Sequence, residues 1–241
     1  MTNSVLLPLG SKLSQQLLLS VAEQIKLPLI QIARQAELGS LGLTTDLRQI
    51  RTLADNGLKL IDSYALGLQL ANQHSYELAP EAVSVSSILY EADQQLRELA
   101  RLYNVSLELN IHGRYEPVMA HRQGLQAAII GLASALIEAL PAQNKGQQTT
   151  LQLATHRCRY GIVAGVYANI PTLSSDTLKR GRKLYGMSRQ PLVEVSHTSA
   201  AGIFVADAIF RAMKLKLHVS RHHRLYGLGV VLQPSSQLAL V

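Results

Sequence analysis

The sequence has no tryptophan, two phenylalanines and one cysteine among its 241 residues. Without large aromatic side chains, a core has to be assembled from Leu, Ile, Val and Ala. A single thiol, Cys158, excludes an internal disulfide framework and fits a reducing compartment. No apolar run reaches the length of a membrane span. The segment "SVLLPLG" at 4–10 is too short for a signal h-region and has no basic residues before it. A cytoplasmic protein is the expectation. The common catalytic signatures are missing as well: there is no Walker loop, no Gly-x-Ser-x-Gly and no Cys-x-x-Cys. The eight histidines do not fall at metal-ligand spacing, so no metal is expected. His222 and His223 read as a basic surface turn in which neighbouring side chains point apart. Cys158 lies between Arg157 and Arg159, which could lower its pKa, but in a strand-end turn it reads as an inert thiol.

What is present is a chain 47% hydrophobic, long enough for one large or two modest domains. Its formal charge of +7 is uneven. Between Leu178 and Arg224 ten Lys/Arg face only Glu194 and Asp207. Such a cluster is either a solvated basic face or an attractor of nucleic acid, acidic lipid or acidic protein. The lack of interleaved aromatics counts against nucleic acid.

The first seventy residues carry two heptad patterns. In the first, Leu18, Val21, Ile25, Pro28, Ile32 and Gln35 follow 3-4-3-4-3 spacing; in the second, Leu47, Ile50, Ala54, Gly57, Ile61, Tyr64 and Leu68 do the same. Between them "GSLGLTTD" offers glycines to end one helix and Thr44 or Thr45 to cap the next. This predicts an antiparallel helical hairpin over residues 1–75. Two helices cannot bury both faces alone, so pairing of two copies into a dimeric four-helix bundle is expected, with those heptad residues at the interface. The alternative is a hairpin packed on its own C-terminal domain. Pro28 stands inside the first helix, where proline costs about 3 kcal/mol.

Residues 76–241 alternate helices and strands. "SVSSILYEADQQLRELARLYN" is a capped helix, "VSLELNIH" a strand, and "HRQGLQAAIIGLASALIEAL" a long apolar helix ended by Pro141, Asn144 and Gly146. "TTLQLATH" and "YGIVAGVYA" are strands joined by a basic turn; "AAGIFVADAIFRAM" is a helix; "KLKLHVS" and "LGVVLQP" form a hairpin around "RHHRLYG". The class is α+β, with an α/β sandwich in which helices cover one face of a mixed sheet.

This order of parts resembles a sensor histidine kinase core, a dimerising helical hairpin followed by an ATPase-like domain of the GHKL type, over residues 12–240. The resemblance lies in element order, because the signature motifs are almost gone. The family's phosphoacceptor motif is roughly His-Glu-Leu-Arg-Thr-Pro-Leu. Here Glu23-Gln24-Ile25-Lys26-Leu27-Pro28-Leu29 keeps the proline, the leucine after it and a basic residue, but places Glu23 where the histidine would be. A carboxylate cannot form a phosphoramidate; Glu23 reads as an ordinary solvated residue, or as a crude charge mimic of a phosphorylated side chain. The two asparagines of the family's metal-binding helix correspond to Gly131 and Ala135, which offer no oxygen ligand; a shifted register would offer Ser134 or Glu138. In the Asp-x-Gly-x-Gly motif the adenine-binding Asp corresponds to Ala168 and the glycines to Ile170 and Thr172. Of the phosphate-cradling turn, Gly202 remains beside Ala200 and Ala201.

The resemblance therefore implies a degenerate kinase with no cofactor. It would dock a response-regulator receiver or another kinase through Glu23, Gln24, Lys26, Gln31 and Arg34. Two other readings stand beside it. One is a histidine phosphotransferase, or an active kinase with unusual motifs. The other is a binder of nucleic acid or anionic surfaces through the basic C-terminal face.

Overall fold

The computed structural model describes residues 9–72, 80–143, 149–169 and 197–235. Two long helices come first, α1 (Leu9–Ser40) and α2 (Leu47–Asn72). Helix α1 runs through Pro28 without a break, and Pro28 is buried. Beyond Ser40 the chain turns at Gly42, whose φ of 74° suits a residue without Cβ. Helix α2 is capped by Asp46, not by the threonines before it. Its Oδ1 accepts from the Arg48 amide at 2.9 Å and the Gln49 amide at 3.3 Å. A carboxylate both satisfies orphan N–H groups and complements the positive end of the helix dipole, so it wins over a hydroxyl.

Helices α1 and α2 pack along each other, and Gln35 Nε2 donates to Gln49 Oε1 at 2.9 Å. The buried positions of α2 include Leu53, Gly57 and Tyr64. The expected seam is thus divided. Tyr64 is only 2% exposed within a single chain, whereas Leu47 is 74% and Ile61 43% exposed. The single chain buries Gly57 and Tyr64 of the stripe, with Leu53 next to it, in its own packing. Leu47, Ala54 and Ile61 are left on the other edge beside exposed Leu58.

The remaining elements are β1 (Glu81–Val83), α3 (Val85–Leu102), β2 (Val105–Ile111), β3 (Val118–Ala120), α4 (Arg122–Gln143), β4 (Thr149–Cys158), β5 (Gly161–Ala168), α5 (His197–Ala212), β6 (His218–His222) and β7 (Leu225–Leu232). Strands β1 and β3, which no sequence pattern announced, pair antiparallel. The main sheet has the order β2-β4-β5-β7-β6; β2 and β4 run parallel and the other pairs antiparallel. Ser84 caps α3, its side chain accepting from the Ser87 amide at 3.3 Å. Helix α4 continues past Pro141 to Gln143, so the proline falls within the last turn.

The core lies between one sheet face and helices α3, α4 and α5. Leu151, Leu153, Val166, Leu228 and Val230 meet Ile88, Leu125, Ile129, Leu136 and Phe210 there. The stretch Arg122–Leu140 is long and apolar enough to cross a membrane, but 67% of that window is buried inside the molecule. A helix that is apolar all round is what the middle of a core demands. Both α1 and α2 rest against α5, so the helix pair also packs on the body of the chain.

Candidate functional site

The described positions that the resemblance matched to nucleotide contacts lie on α4, β5 and α5. Gly131 and Ala135 lie one turn apart on α4, Ala168 ends β5, and Gly202 sits in the second turn of α5, which packs on α4. All four are buried, Ala135 and Ala168 at 0% exposure. A methyl group neither ligates a cation nor accepts a hydrogen bond from an amino group. A Cβ added at Gly131 would meet nothing within 4 Å, so packing does not require glycine there. Ile170 and Thr172 lie outside the described residues.

The shifted-register candidates are engaged elsewhere or enclosed. Ser134 is buried. Glu138 is half-buried, and its charge acts on Tyr103: burial first, then Glu138, pushes that phenol up to about 12, with a hydrogen bond from Gln31 pulling the other way. The contact ties α1 to the end of α3 beside α4. It also redefines part of the expected docking surface. Gln31 is half-buried against the body of the chain, and its Oε1 is buried without a partner. Lys26 and Arg34 are exposed. The backbone of Glu23 and Gln24 belongs to α1, but their side chains lie outside the described residues, as do those of Leu18, Val21 and Leu68. Ile25, Ile32 and Ile50 are half-buried. Exposed Leu29 and Ile30, with Ile25, Lys26, Ala22 and Ala33, line a shallow hollow of about 480 Å³ on α1.

Two polar side chains sit deep in the helical layer, each with an exposed partner one turn on. Asp93 Oδ2 meets Arg97 at 2.7 Å on α3, and Asp207 Oδ2 meets Arg211 at 2.7 Å on α5. They are structural pairs in which the arginine head reaches solvent.

The other face of the sheet holds a group that sequence reading missed. His222 is not on a surface turn: it belongs to β6 and is 7% exposed. Its Nδ1 lies 3.2 Å from Nδ1 of His156 on β4, the two rings stacked at 5.1 Å and 25°. Tyr167, fully buried, lies beneath at 5.3 Å from the His222 ring and donates to Ser220 Oγ at 3.3 Å. Glycines make the bed. A Cβ on Gly227 would stand 2.0 Å from the Val166 carbonyl oxygen, and one on Gly165 2.7 Å from the Tyr167 hydroxyl. Burial, then the neighbouring His223, His156 and His112, push the His222 imidazole down to about 4; burial likewise lowers His156. Strand alternation places His218, Ser220 and His222 on one face, but the strand expected over "KLKLHVS" stops two residues short of His222.

No protein-family model and no curated protein sequence matches the chain. Solved structures do. The histidine kinase AdeS of Acinetobacter baumannii aligns over 85% of this chain and 95% of its own, with 13% identity and a TM-score of 0.51. Full-length ShkA, solved in complex with AMPPNP, covers 92% of this chain, with 46% of its own length matched, at 12% identity and TM-score 0.55. The histidine kinase ThkA, solved in complex with the response regulator TrrA, covers 88% of this chain and 60% of its own, at 13% identity and TM-score 0.51. The chain therefore has the fold of a histidine kinase core, with a mixed sheet backed by helices.

Proposed function

We propose that this chain is a catalytically degenerate, kinase-fold signalling protein: a dimeric docking or regulatory module of a two-component pathway that does not bind ATP. Residues 1–75 serve as the helical-hairpin dimerisation domain and 76–241 as the ATPase-like domain. One observation carries the reading. At the described positions matched to the metal ligands and the adenine acceptor stand Gly131, Ala135 and Ala168, all buried and none able to make the contact. Glu23 at the phosphoacceptor position removes the nucleophile as well.

Dimerisation is supported by the apolar side chains that one chain leaves uncovered. Leu29, Ile30, Leu47, Leu58 and Ile61 are exposed on α1 and α2, and a second copy is the partner that would complete a four-helix bundle. Tyr64 contributes from beneath this surface, since its own chain already buries it. A response-regulator receiver is the favoured partner, another kinase the next. The structural neighbour ThkA is solved with a response regulator, and this chain keeps Lys26 and Arg34 exposed on α1 within a net charge of +7. Positive charge would speed encounter with an acidic receiver and add little specificity. Glu23, Gln24, Lys26 and Arg34 form the exposed side of the docking surface in this reading, with Gln31 at its inner edge.

The test is binding of a receiver domain to a variant carrying Lys26→Glu and Arg34→Glu. Weaker binding with the dimer retained is expected. Undiminished binding to a chain lacking residues 1–75 would move the docking site to the ATPase-like domain.

A further inference from the structure

We infer that His156 and His222 form a binding site for one divalent transition-metal ion of the zinc class, held through both Nδ1 atoms on the outer face of the sheet. The geometry is close to what a metal asks for. Zinc–nitrogen bonds of about 2.0–2.1 Å at a tetrahedral angle place two ligand nitrogens about 3.3–3.4 Å apart. The two Nδ1 atoms stand at 3.2 Å, with ring planes only 25° apart. They come from strands that are not neighbours, because β5 and β7 lie between β4 and β6. The glycine bed of Gly165, Gly227 and Gly229 and the buried Tyr167 ring leave room for side chains from both directions to converge over the sheet.

The donor set selects the ion. Neutral imidazole suits Zn²⁺, Ni²⁺ and Cu²⁺, whereas Mg²⁺ and Ca²⁺ need oxygen. A ligand must be unprotonated to bind, so an ion would compete with protons for both rings. The Nε2 of His222 is buried without a partner, so a bound ion would lack the acceptor that usually fixes a ligating imidazole, which holds affinity down. Among the described residues no group of three or more His, Cys, Asp or Glu is placed to hold one ion, so water or an outside donor would fill the remaining positions. The site is open and of modest affinity. A bound ion would clip the edge strand β6 to β4 across the sheet.

The probe is Zn²⁺ alone, then Ni²⁺, titrated calorimetrically into the whole protein, with thermal melting at about 100 μM ion as a second readout. One ion per chain is expected, with a rise in Tm that EDTA reverses. His156→Ala and His222→Ala should each lose about tenfold or more in affinity, while His223→Ala, at an exposed neighbouring ring, should not. If His222→Ala fails to fold, His156→Gln on the half-buried ring replaces it, together with ¹⁵N imidazole shifts of the wild type. Zinc must then move the Nδ1 signals of both His156 and His222. A wild type that takes up no ion at about 100 μM, variants that bind like wild type, or unmoved Nδ1 signals would each overturn the site and leave an ordinary N–H···N hydrogen bond.

Discussion

Acidification should loosen the outer sheet face through His222, and the size of the effect follows from its surroundings. The imidazole is pushed from 6.5 down to about 4 in the folded chain, by burial first and by His223, His156 and His112 after it. The unfolded chain therefore takes up the proton at higher pH than the folded one. Stability is intact above about pH 6.5 and is lost as pH falls toward about 4. With these two values, linkage gives a loss of at most about 2 kcal/mol between pH 7 and pH 4.5. His156, lowered for the same first reason, adds in the same direction. The assay is urea unfolding followed by circular dichroism at pH 7 and pH 4.5, with EDTA present, on wild type and His222→Gln. The other ionisable groups are common to both proteins, so the difference between the two isolates the histidine. Wild type should lose about 1–2 kcal/mol more than the variant on acidification. Parallel pH profiles would refute the placement of this ring in a buried, hydrogen-bonded pair.

Two further outcomes test the packing. Leu58→Asp with Ile61→Asp should give monomer in light scattering, because both exposed side chains lie on the uncovered side of α2; a wild type already monomeric at micromolar concentration would contradict the dimer. Gly227→Ala should cost about 3 kcal/mol or more, since its Cβ would press to 2.0 Å on the Val166 carbonyl oxygen in the β5–β7 ladder; a melting curve that overlays wild type would contradict it.

Much of the fold was legible because its periodicities are local. The alternation in "VSLELNIH" and "YGIVAGVYA" and the cap at Ser84 fix β2, β5 and α3 with little help from the rest of the chain. The seam of α2 was only half legible. Its stripe runs through Leu47, Ala54 and Ile61 as well as Gly57 and Tyr64, and only three-dimensional packing shows which edge one chain covers. Strands β1 and β3 are three residues each, too short to carry a pattern. The histidine pair was invisible for a different reason. His156 and His222 are distant in sequence and meet over two intervening strands whose glycines leave the room. The correspondence of Ala135 and Ala168 to nucleotide contacts is an expectation from element order, and the fold places both residues in the core. For Ile170 and Thr172, the expectation falls outside the described residues.

Calorimetric titration of ATP with Mg²⁺ into the whole protein bears most directly on the central claim that a kinase fold is retained here without nucleotide binding. If buried Ala135 and Ala168 occupy the proposed metal-ligand and adenine-acceptor positions, no binding heat is expected. A dissociation constant below about 100 μM, about −5.5 kcal/mol, would contradict the account.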